Sequence, residues 1–188
     1  VEASPTSSSP AVADLDGDGD LEVVVGAVRY EPDVGPTYSG VYALDHLGQV
    51  LPGWPQDSYP GISSPAVGDI DGDGYMDVLL ATDFSSTLAT PEDHRVDAWD
   101  LFGNPLPGWP AHGGDRTLAS PALADLDDDG FLEIVVGTMA NRVHAWDRFG
   151  ENLPGWPVPV GGDVLSSPAL GDMDGDGYLD VVVGVRDG

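Results

Sequence analysis

Short apolar runs alternate with clusters of Gly, Pro and Asp along the whole chain, and the runs are too short for helices. The segment that begins at Ser8, SSPAVADLDGDGDLEVVVG, contains two such runs on either side of an acidic turn. Further along, VYALD, VDAWD and VHAWD alternate with a period of two, which is typical of half-buried strands. The 188 residues also include 26 Gly and 17 Pro, which oppose helix formation. We therefore predict an all-β fold of short strands.

The pattern repeats, and its period predicts the architecture. The Ser8 segment recurs as SSPAVGDIDGDGYMDVLLA, ASPALADLDDDGFLEIVVG and SSPALGDMDGDGYLDVVVG. A second block, VYALDHLGQVLPGWP in its first form, follows each of the first three copies. Each full unit predicts four strands: A before the acidic loop, B after it, C in the second block, and D, which follows a hairpin turn and ends at Gly-Trp-Pro. Repeated four-stranded antiparallel units of roughly 50 residues are typical of propeller blades.

We expect one domain, a partial β-propeller over residues 1–188 with about three and a half blades. The repeats span about 8–62, 63–118, 119–165 and, for the half repeat, 166–188. A single unit cannot bury both faces of its sheet, so the fold must gain its stability from blade stacking.

The acidic loop between strands A and B has the form D-x-D-x-D-G-x-x-[DE] in all four copies. Alternate carboxylates around a tight turn, a backbone carbonyl at position 7 and a carboxylate at position 9 form an all-oxygen cage that suits Ca²⁺ better than Mg²⁺. We expect up to four Ca²⁺, one per loop. The candidate ligands are Asp14, Asp16, Asp18, Asp20 and Glu22; Asp69, Asp71, Asp73, Tyr75 and Asp77; Asp125, Asp127, Asp129, Phe131 and Glu133; Asp172, Asp174, Asp176, Tyr178 and Asp180.

Two other structures could account for these loops. An EF-hand needs Glu at position 12, but that position is Val25, Leu80, Val136 or Val183, inside strand B. A plain Asp-Gly hairpin turn is the second alternative. A turn does not need acids at positions 1, 3, 5 and 9 in every copy, where they would repel each other without a cation. The recurrence favours metal binding.

Composition excludes several classes of function. The net charge of −27, with six Arg and no Lys, makes nucleic acid and anionic lipid poor partners. The absence of Cys excludes disulfides and thiol chemistry. No apolar run is long enough to span a membrane as a helix, and no catalytic motif is present, so we expect no enzyme activity in this stretch. His144 aligns with Asp97 and Tyr42 in strand C and is predicted to lie on the surface.

The repeated SSPAVADLDGDGDLEVVVG segment with its D-x-D-x-D-G motif resembles the FG-GAP/VCBS repeat of calcium-binding β-propellers, a group that includes the integrin α-subunit head. The resemblance covers essentially the whole chain. It implies a ring of usually seven blades with Ca²⁺ in the A–B loops. Gly-Ala-Pro is replaced by Ser-Pro-Ala, and Phe-Gly survives only at Phe102-Gly103 and Phe149-Gly150. The Leu-Pro-Gly-Trp-Pro tail resembles prokaryotic secreted members, so an integrin-type ligand role is not implied.

The five tryptophans occupy two recurring positions of the repeat. Trp54, Trp109 and Trp156 share the Gly-Trp-Pro context, where we expect packing between blades, with stacking on sugar rings as the alternative. Trp99 and Trp146 in strand C are predicted core residues.

Insertions between strands B and C, at 27–40 and 82–95, lengthen the first two repeats, whereas the third has only 138–142. Loops alternate between the two ends of an antiparallel sheet, so these insertions should lie opposite the acidic loops. They are either solvated loops or a ligand face, since binding usually resides in such loops. The candidate contacts on that face are Arg29, Tyr30, Tyr38, Phe84, His94 and Arg95.

The leading hypothesis is a non-catalytic calcium-binding propeller module of a secreted or cell-surface protein, with the periplasm as an alternative location. It would mediate protein or glycan binding, adhesion or assembly. The alternatives are the propeller portion of a larger extracellular polysaccharide-degrading enzyme and a structural subunit of a complex or filament. An open half-propeller exposes strand edges. We therefore expect flanking chain or a second copy to supply the missing blades.

Overall fold

A computed structural model describes residues 3–4, 8–31, 35–58, 63–83, 94–114 and 116–186, with residues 3, 4, 28–31, 35–39 and 83 described by backbone only. The described residues form strands and turns, as the apolar pattern predicts. Within these ranges, helices long and apolar enough to cross a membrane are absent.

The first blade is an antiparallel sheet built on one long hairpin. Its strands are β1 (Ala3–Ser4), β2 (Ala11–Ala13), β3 (Glu22–Glu31), β4 (Gly35–Leu44) and β5 (Gln56–Ser58). β3 pairs with both β2 and β4, and β5 pairs with the outer edge of β4. β2, β3, β4 and β5 therefore correspond to the predicted strands A, B, C and D, while β1 adds a short pair at the far end of β3.

The second and third blades repeat this four-stranded order with shorter hairpins. The second consists of β6 (Ala66–Gly68), β7 (Asp77–Asp83), β8 (His94–Trp99) and β9 (Ala111–His112). The third consists of β10 (Ala122–Ala124), β11 (Glu133–Thr138), β12 (Arg142–Trp146) and β13 (Val158–Pro159). In both, neighbours in sequence are neighbours in the sheet, which confirms the predicted blade architecture.

The fourth unit contains the inner pair of a blade. β15 (Ala169–Gly171) and β16 (Asp180–Val182) are its strands A and B. β14 (Asp163–Val164) pairs with β17 (Val185–Arg186) at the far end of that hairpin. Within the described residues, β16 has a partner on one edge only.

The core lies between the blades rather than inside any one of them. Strand B of the second blade shows this clearly: Val78 and Leu80 face the first blade and its Trp54, whereas Leu79 and Ala81 face the third blade. A third cluster joins the third blade to Leu170 and Val181 of the fourth unit. Stacking thus buries both faces of the second and third sheets, as repeat architectures require.

Serines before each strand A connect consecutive blades. The backbone N–H of Ser9 donates to Oγ of Ser64 at 2.9 Å, that of Ser64 to Ser120 at 3.0 Å, and that of Ser120 to Ser167 at 3.0 Å. The Ser-Pro-Ala sequence, which replaces the family's Gly-Ala-Pro, therefore supplies a hydrogen bond from each blade to the next.

Strand D differs from the prediction. It does not end at Gly-Trp-Pro but begins after it, at Gln56, Ala111 and Val158. The preceding Leu-Pro-Gly-Trp segment is a turn, in which the N–H of Trp54 donates to the carbonyl of Leu51 at 3.1 Å and the Trp-Pro bonds are cis. The turn residues Pro and Gly within that segment account for the shift, because they interrupt the ladder.

Two further expectations need correction. The first insertion was predicted to be a loop. Instead it continues strands β3 and β4, which pair as one long hairpin as far as Glu31 and Gly35. His144, predicted at the surface, is buried between the second and third blades, where its ring stacks on Trp146 at 4.9 Å between centroids. Both faces of an interior blade are covered, so the alternation of strand C does not mark a solvent face there.

Candidate metal centres

Each acidic loop connects strands A and B of its blade at the same end of the sheet. Glycines at positions 4 and 6 adopt the left-handed conformation that the tight turn needs, as with Gly17 at φ 76° and Gly19 at φ 97°. The third loop has Asp128 at position 4, also with a positive φ of 61°. The loops are therefore alike in backbone shape although one lacks a glycine.

In the first loop, backbone N–H groups orient the carboxylates. Asp14 accepts from the N–H of Gly17 at 2.8 Å through one oxygen and from that of Gly19 at 3.1 Å through the other. Asp16 accepts from Asp18, and Asp18 accepts from Asp20 at 2.8 Å. These are Asx-turn bonds, which Asp forms readily with backbone two residues on.

The second and fourth loops repeat these bonds with nearly the same lengths. Gly72 and Gly74 donate to Asp69 at 2.8 and 3.1 Å, and the bonds from Gly175 and Gly177 to Asp172 are 2.7 and 3.0 Å. The third loop differs at one bond, because Asp125 accepts from the N–H of Asp129 at 3.1 Å.

The result is one group of convergent carboxylates per loop. In each group, one oxygen from each of three residues lies within 4.8 Å of the others. The groups are Asp14, Asp16 and Asp18; Asp69, Asp71 and Asp77; Asp125, Asp127 and Glu133; Asp172, Asp174 and Asp180. Three anionic oxygens at this spacing fit a hard divalent cation.

The carboxylate at position 9 also accepts a backbone hydrogen bond in every loop. One of its oxygens accepts the backbone N–H of position 2, as Glu22 does from Leu15 at 2.9 Å and Asp77 from Ile70 at 2.8 Å. The same bond joins Asp180 to Met173 at 2.9 Å. This bond fixes the carboxylate at the start of strand B, and the same carboxylate is a member of the second, third and fourth groups.

Electrostatics show how crowded the two central groups are without a cation. Burial raises the pKa of Asp77 to about 7, and the nearby Asp71 and Asp73 carboxylates add to the increase. Burial likewise raises the pKa of Glu133 to about 7, with Asp127, Asp129 and Asp125 contributing. A cation in these loops would remove this repulsion.

The sequence did not reveal that the turn between strands C and D lies beside the acidic loop of the same blade. His46 Nδ1 is 3.5 Å from Asp20, and the Arg148 guanidinium lies 3.7 Å from the centre of the Phe131 ring. Arg148 also contacts Phe149 at 4.8 Å. The signal was available, because A–B and C–D connections share one end of an antiparallel sheet.

Of the predicted ligand face, only two side chains lie in the described residues. His94 is half-buried, and Arg95 forms an ion pair of 2.9 Å with Asp97. Burial between blades raises the pKa of Asp97, and Arg95 opposes that increase. The side chains of Arg29, Tyr30 and Tyr38, and the whole of Phe84, lie outside the described residues, so this face stays a prediction.

The tryptophans have the predicted packing role. Trp54 Nε1 donates to the Leu101 carbonyl of the second blade at 2.9 Å, and Trp109 Nε1 donates to the Arg148 carbonyl of the third blade at 3.0 Å. Trp99 and Trp146 are buried and meet Trp54 and Trp109 edge to face, with centroids 6.1 and 6.5 Å apart.

Stacked four-stranded sheets with an acidic loop between their first two strands define the chain as a β-propeller module. A model of the FG-GAP repeat matches residues 7–40 and 62–97, and a model of the FG-GAP-like repeat matches residues 125–183. The chain therefore belongs to the proteins built from FG-GAP repeats.

Relatives share these repeats over most of the chain. Integrin alpha-IIb from Homo sapiens is 28% identical, in an alignment that covers 72% of this chain and 15% of the integrin. Integrin alpha-3 from Cricetulus griseus is also 28% identical, with 71% of this chain and 14% of the integrin covered. The chain thus spans about a seventh of the length of these curated relatives.

One solved structure shares the fold over nearly the whole chain. The V. cholerae biofilm matrix protein Bap1 superimposes with a TM-score of 0.62 over 94% of this chain and 28% of its own, at 21% sequence identity. At that identity the similarity concerns the fold.

Proposed function

We propose that the chain is a non-catalytic, calcium-binding β-propeller module of a secreted or cell-surface protein, and that it mediates protein or glycan binding, adhesion or assembly. The observation that carries the proposal is the recurrence, in all four loops, of three carboxylates whose oxygens lie within 4.8 Å. One such group could be an accident of an acidic surface. Four such groups in register, in loops that each repeat the bond from the backbone of position 2 to the acid at position 9, favour a common function.

Calcium fits this donor set. Carboxylates from positions 1, 3, 5 and 9 and a carbonyl from Asp20, Tyr75, Phe131 or Tyr178 would give the irregular oxygen shell that Ca²⁺ accepts and Mg²⁺ does not. Extracellular calcium modules have dissociation constants of about 10⁻⁴–10⁻³ M, which suits a protein outside the cell. The integrin relatives and the biofilm matrix protein support the same location.

A binding role has support at the loop end of the blades. The loops and C–D turns share this end, as the contacts of His46 and Arg148 show. Several large side chains here point into solvent, among them Phe102, Phe149 and Tyr178. Exposed aromatic groups beside bound cations are suited to protein or glycan contacts.

Calorimetric titration of the metal-free chain with CaCl₂ and with MgCl₂ tests the metal assignment. We expect about four Ca²⁺ per chain and weaker Mg²⁺ binding. Asp69→Asn should remove one site, whereas Asp57→Asn, an exposed position in β5 away from the loops, should remove none. Stoichiometry below one Ca²⁺ per chain at millimolar concentrations would show that the acidic loops are turns only.

The ligand class requires a second experiment. Immobilised polysaccharides and extracellular matrix proteins would be screened with the calcium-loaded chain, and positives repeated in EDTA. Calcium-dependent retention that Phe102→Ser and Phe149→Ser reduce would support the loop end as the binding surface. Retention unaffected by both changes would favour the opposite face, which carries His94 and Arg95.

A further inference from the structure

The acidic loops of the first three blades contact one another, and the second and third loops meet through an aromatic ring. Phe131, at position 7 of the third loop, reaches across to Gly72, at position 4 of the second loop. A methyl group added at Gly72 would lie 2.6 Å from Cε1 of the Phe131 ring. The ring therefore packs directly on the backbone of the second loop.

This contact joins parts of both loops that belong to the candidate metal sites. Gly72 lies between positions 3 and 5, which carry two candidate ligands, and its N–H donates to Oδ1 of Asp69 at 2.8 Å. Phe131 is the residue whose carbonyl is a candidate ligand of the third site, and its N–H donates to Oδ1 of Asp129 at 2.8 Å. One side chain thus connects the backbone of one site to a ligand residue of the next.

The Phe131 ring is also held from the third blade. The Arg148 guanidinium lies 3.7 Å from the centre of the ring, in a cation–π contact. The backbone of Arg148 is fixed against the second blade, because its carbonyl accepts the indole N–H of Trp109 at 3.0 Å. Phe131 is therefore bounded by Gly72 on one side and by Arg148 on another, which limits how far the ring can move when either loop changes shape.

The first and second loops do not share this ring contact. Tyr75, the counterpart of Phe131, is 44% exposed. Gly17, the counterpart of Gly72, has open space around the position of an added methyl group, as far as the described residues extend. The Tyr75 ring therefore does not pack on position 4 of the first loop.

A backbone hydrogen bond joins the first and second loops instead. The N–H of Met76 donates to the carbonyl of Leu15 at 3.0 Å. These residues occupy positions 8 and 2, which supply no candidate ligand, and the N–H of Leu15 already donates to Glu22 at 2.9 Å. The bond joins the ends of the two loops rather than the segments that carry alternate carboxylates, so it should transmit less between their metal sites.

We propose that Phe131 couples the second and third metal sites, so that occupancy of either site raises the affinity of the other. The inference rests on the metal assignment in the proposed function. When the Phe131 carbonyl is held as a ligand, the ring is fixed against Gly72 as well. A second loop that this contact has already ordered loses less conformational entropy on binding its own cation. Such coupling is reciprocal, so the second site acts on the third by the same factor.

Charge acts in the opposite direction. Each loop attracts a cation through the carboxylates of neighbouring loops as well as through its own, so occupancy of one loop lowers the attraction at the next. Salt screens this effect, since the Debye length is about 8 Å at 0.15 M ionic strength and shorter at higher salt. Packing of a ring on a glycine is not screened. Measurements in about 0.5 M KCl therefore leave the Phe131 contact as the main source of coupling.

The test is a thermodynamic cycle on the 188-residue chain, measured by calorimetric titration with CaCl₂ in about 0.5 M KCl. Unwanted loops are inactivated at positions 1 and 3 by Asp→Asn, because Asn retains a side-chain acceptor for the turn. The paired changes are Asp14→Asn with Asp16→Asn, Asp69→Asn with Asp71→Asn, Asp125→Asn with Asp127→Asn, and Asp172→Asn with Asp174→Asn.

Three chains complete the cycle: one keeps the second loop alone, one keeps the third loop alone, and one keeps both. The coupling factor is the overall association constant of the two-site chain divided by the product of the two single-site constants. We expect a factor of about five to ten for the second and third loops. The corresponding chains for the first and second loops should give a factor of about one.

Changes on either side of the contact should remove the coupling. Phe131→Ala should lower the factor to about one, whereas Phe131→Tyr keeps the ring and should retain it. Gly72→Ala should also lower the factor, because its methyl group would displace the ring. Gly74→Ala is the matched control in the same loop: Gly74 has a positive φ of 93°, against 81° for Gly72, but open space around it. It should carry similar backbone strain and leave the coupling factor unchanged.

A coupling factor of about one for the second and third loops would overturn the proposal, and so would a factor that both Phe131→Ala and Gly72→Ala leave unchanged. An equal factor for the first and second loops would assign the coupling to folding of the whole chain instead of to Phe131. In these cases the single-loop chains would still bind calcium, so the metal assignment would stand. Absence of calcium binding in both single-loop chains would overturn the metal assignment and the coupling together.

Discussion

The third and fourth acidic loops have the same motif and nearly the same backbone hydrogen bonds, yet they differ in their surroundings. Glu133 is 1% exposed because complete sheets cover its blade, whereas Asp180 lies on a hairpin that, within residues 116–186, pairs on one edge only, and Asp180 is not buried. Burial and neighbouring carboxylates raise the pKa of Glu133 to about 7. The motif thus sets the loop geometry, while blade stacking sets the energetic cost of leaving the site empty.

The largest expected effect is that of removing calcium altogether. At 10 mM Ca²⁺ and dissociation constants of about 10⁻⁴–10⁻³ M, each site contributes about 1.4–2.7 kcal/mol to the free energy of unfolding. For a chain of this size we expect EDTA to lower the melting temperature by more than about 10 °C. Calorimetric melts with and without excess Ca²⁺ would measure this. An unchanged melting temperature would remove any structural role for the metal.

Neutralising the position-9 carboxylate in the third loop and in the fourth loop should distinguish the effect of burial from the effect of losing a metal ligand. In calcium, Glu133→Gln and Asp180→Asn should each weaken a site and cost about 1.4–2.7 kcal/mol. In EDTA the effects of the two variants on the free energy of unfolding should differ. Glu133→Gln removes a buried, repelled charge and should stabilise the chain by about 1 kcal/mol, whereas Asp180→Asn should change little. Urea denaturation of both variants, in calcium and in EDTA, gives the four changes in the free energy of unfolding. Equal effects of the two variants in EDTA would show that burial does not distinguish the loops.

The raised pKa values of Asp77 and Glu133 determine how the free energy of unfolding of the metal-free chain should depend on pH. The carboxyls of Asp77 and Glu133 have pKa values near their ordinary 3.8 and 4.5 when the chain is unfolded but about 7 when it is folded. The folded state therefore retains protons that the unfolded state has lost, so the free energy of unfolding should fall as pH rises from about 4 to 7. Asp97, whose pKa burial also raises, contributes with the same sign.

Urea midpoints between pH 5 and pH 8 in EDTA would measure this slope. The double variant Asp77→Asn with Glu133→Gln should flatten it, and calcium should reverse it because the metal needs the ionised carboxylates. A slope that the double variant leaves intact would mean that other groups govern the titration.

The sequence predicts the repeated units well because the signals are local. Strands A, B and C follow from short apolar runs, and the positions of the loop carboxylates follow from a nine-residue spacing. What escaped prediction depends on contacts between units. His144 is buried because the second blade covers it. Strand D begins after Trp54 because Pro and Gly interrupt the ladder in the Leu-Pro-Gly-Trp segment, whose Trp54 bonds to the turn of the next blade. The closeness of Arg148 to Phe131 depends on sheet topology rather than on sequence spacing.

The smallest effect should come from position 4 of the third loop, where Asp128 replaces a glycine. Its φ of 61° lies in the left-handed region, whereas Gly17, Gly72 and Gly175 adopt φ of 76–81° at the same position. Asp128→Gly should therefore stabilise the chain, by at most about 1 kcal/mol, because the lost strain and repulsion are partly offset by the greater freedom of unfolded glycine. The gain should be larger in EDTA, where the charge of Asp128 still faces uncompensated carboxylates.

The reciprocal change, Gly175→Asp in the fourth loop, should destabilise the chain by a similar amount, and neither variant should change calcium affinity, because position 4 supplies no ligand. Urea denaturation and calcium titration of the pair would measure both quantities. A tenfold loss of calcium affinity in Asp128→Gly alone would identify Asp128 as a ligand. The third loop would then differ from the fourth in its ligands as well as in its surroundings.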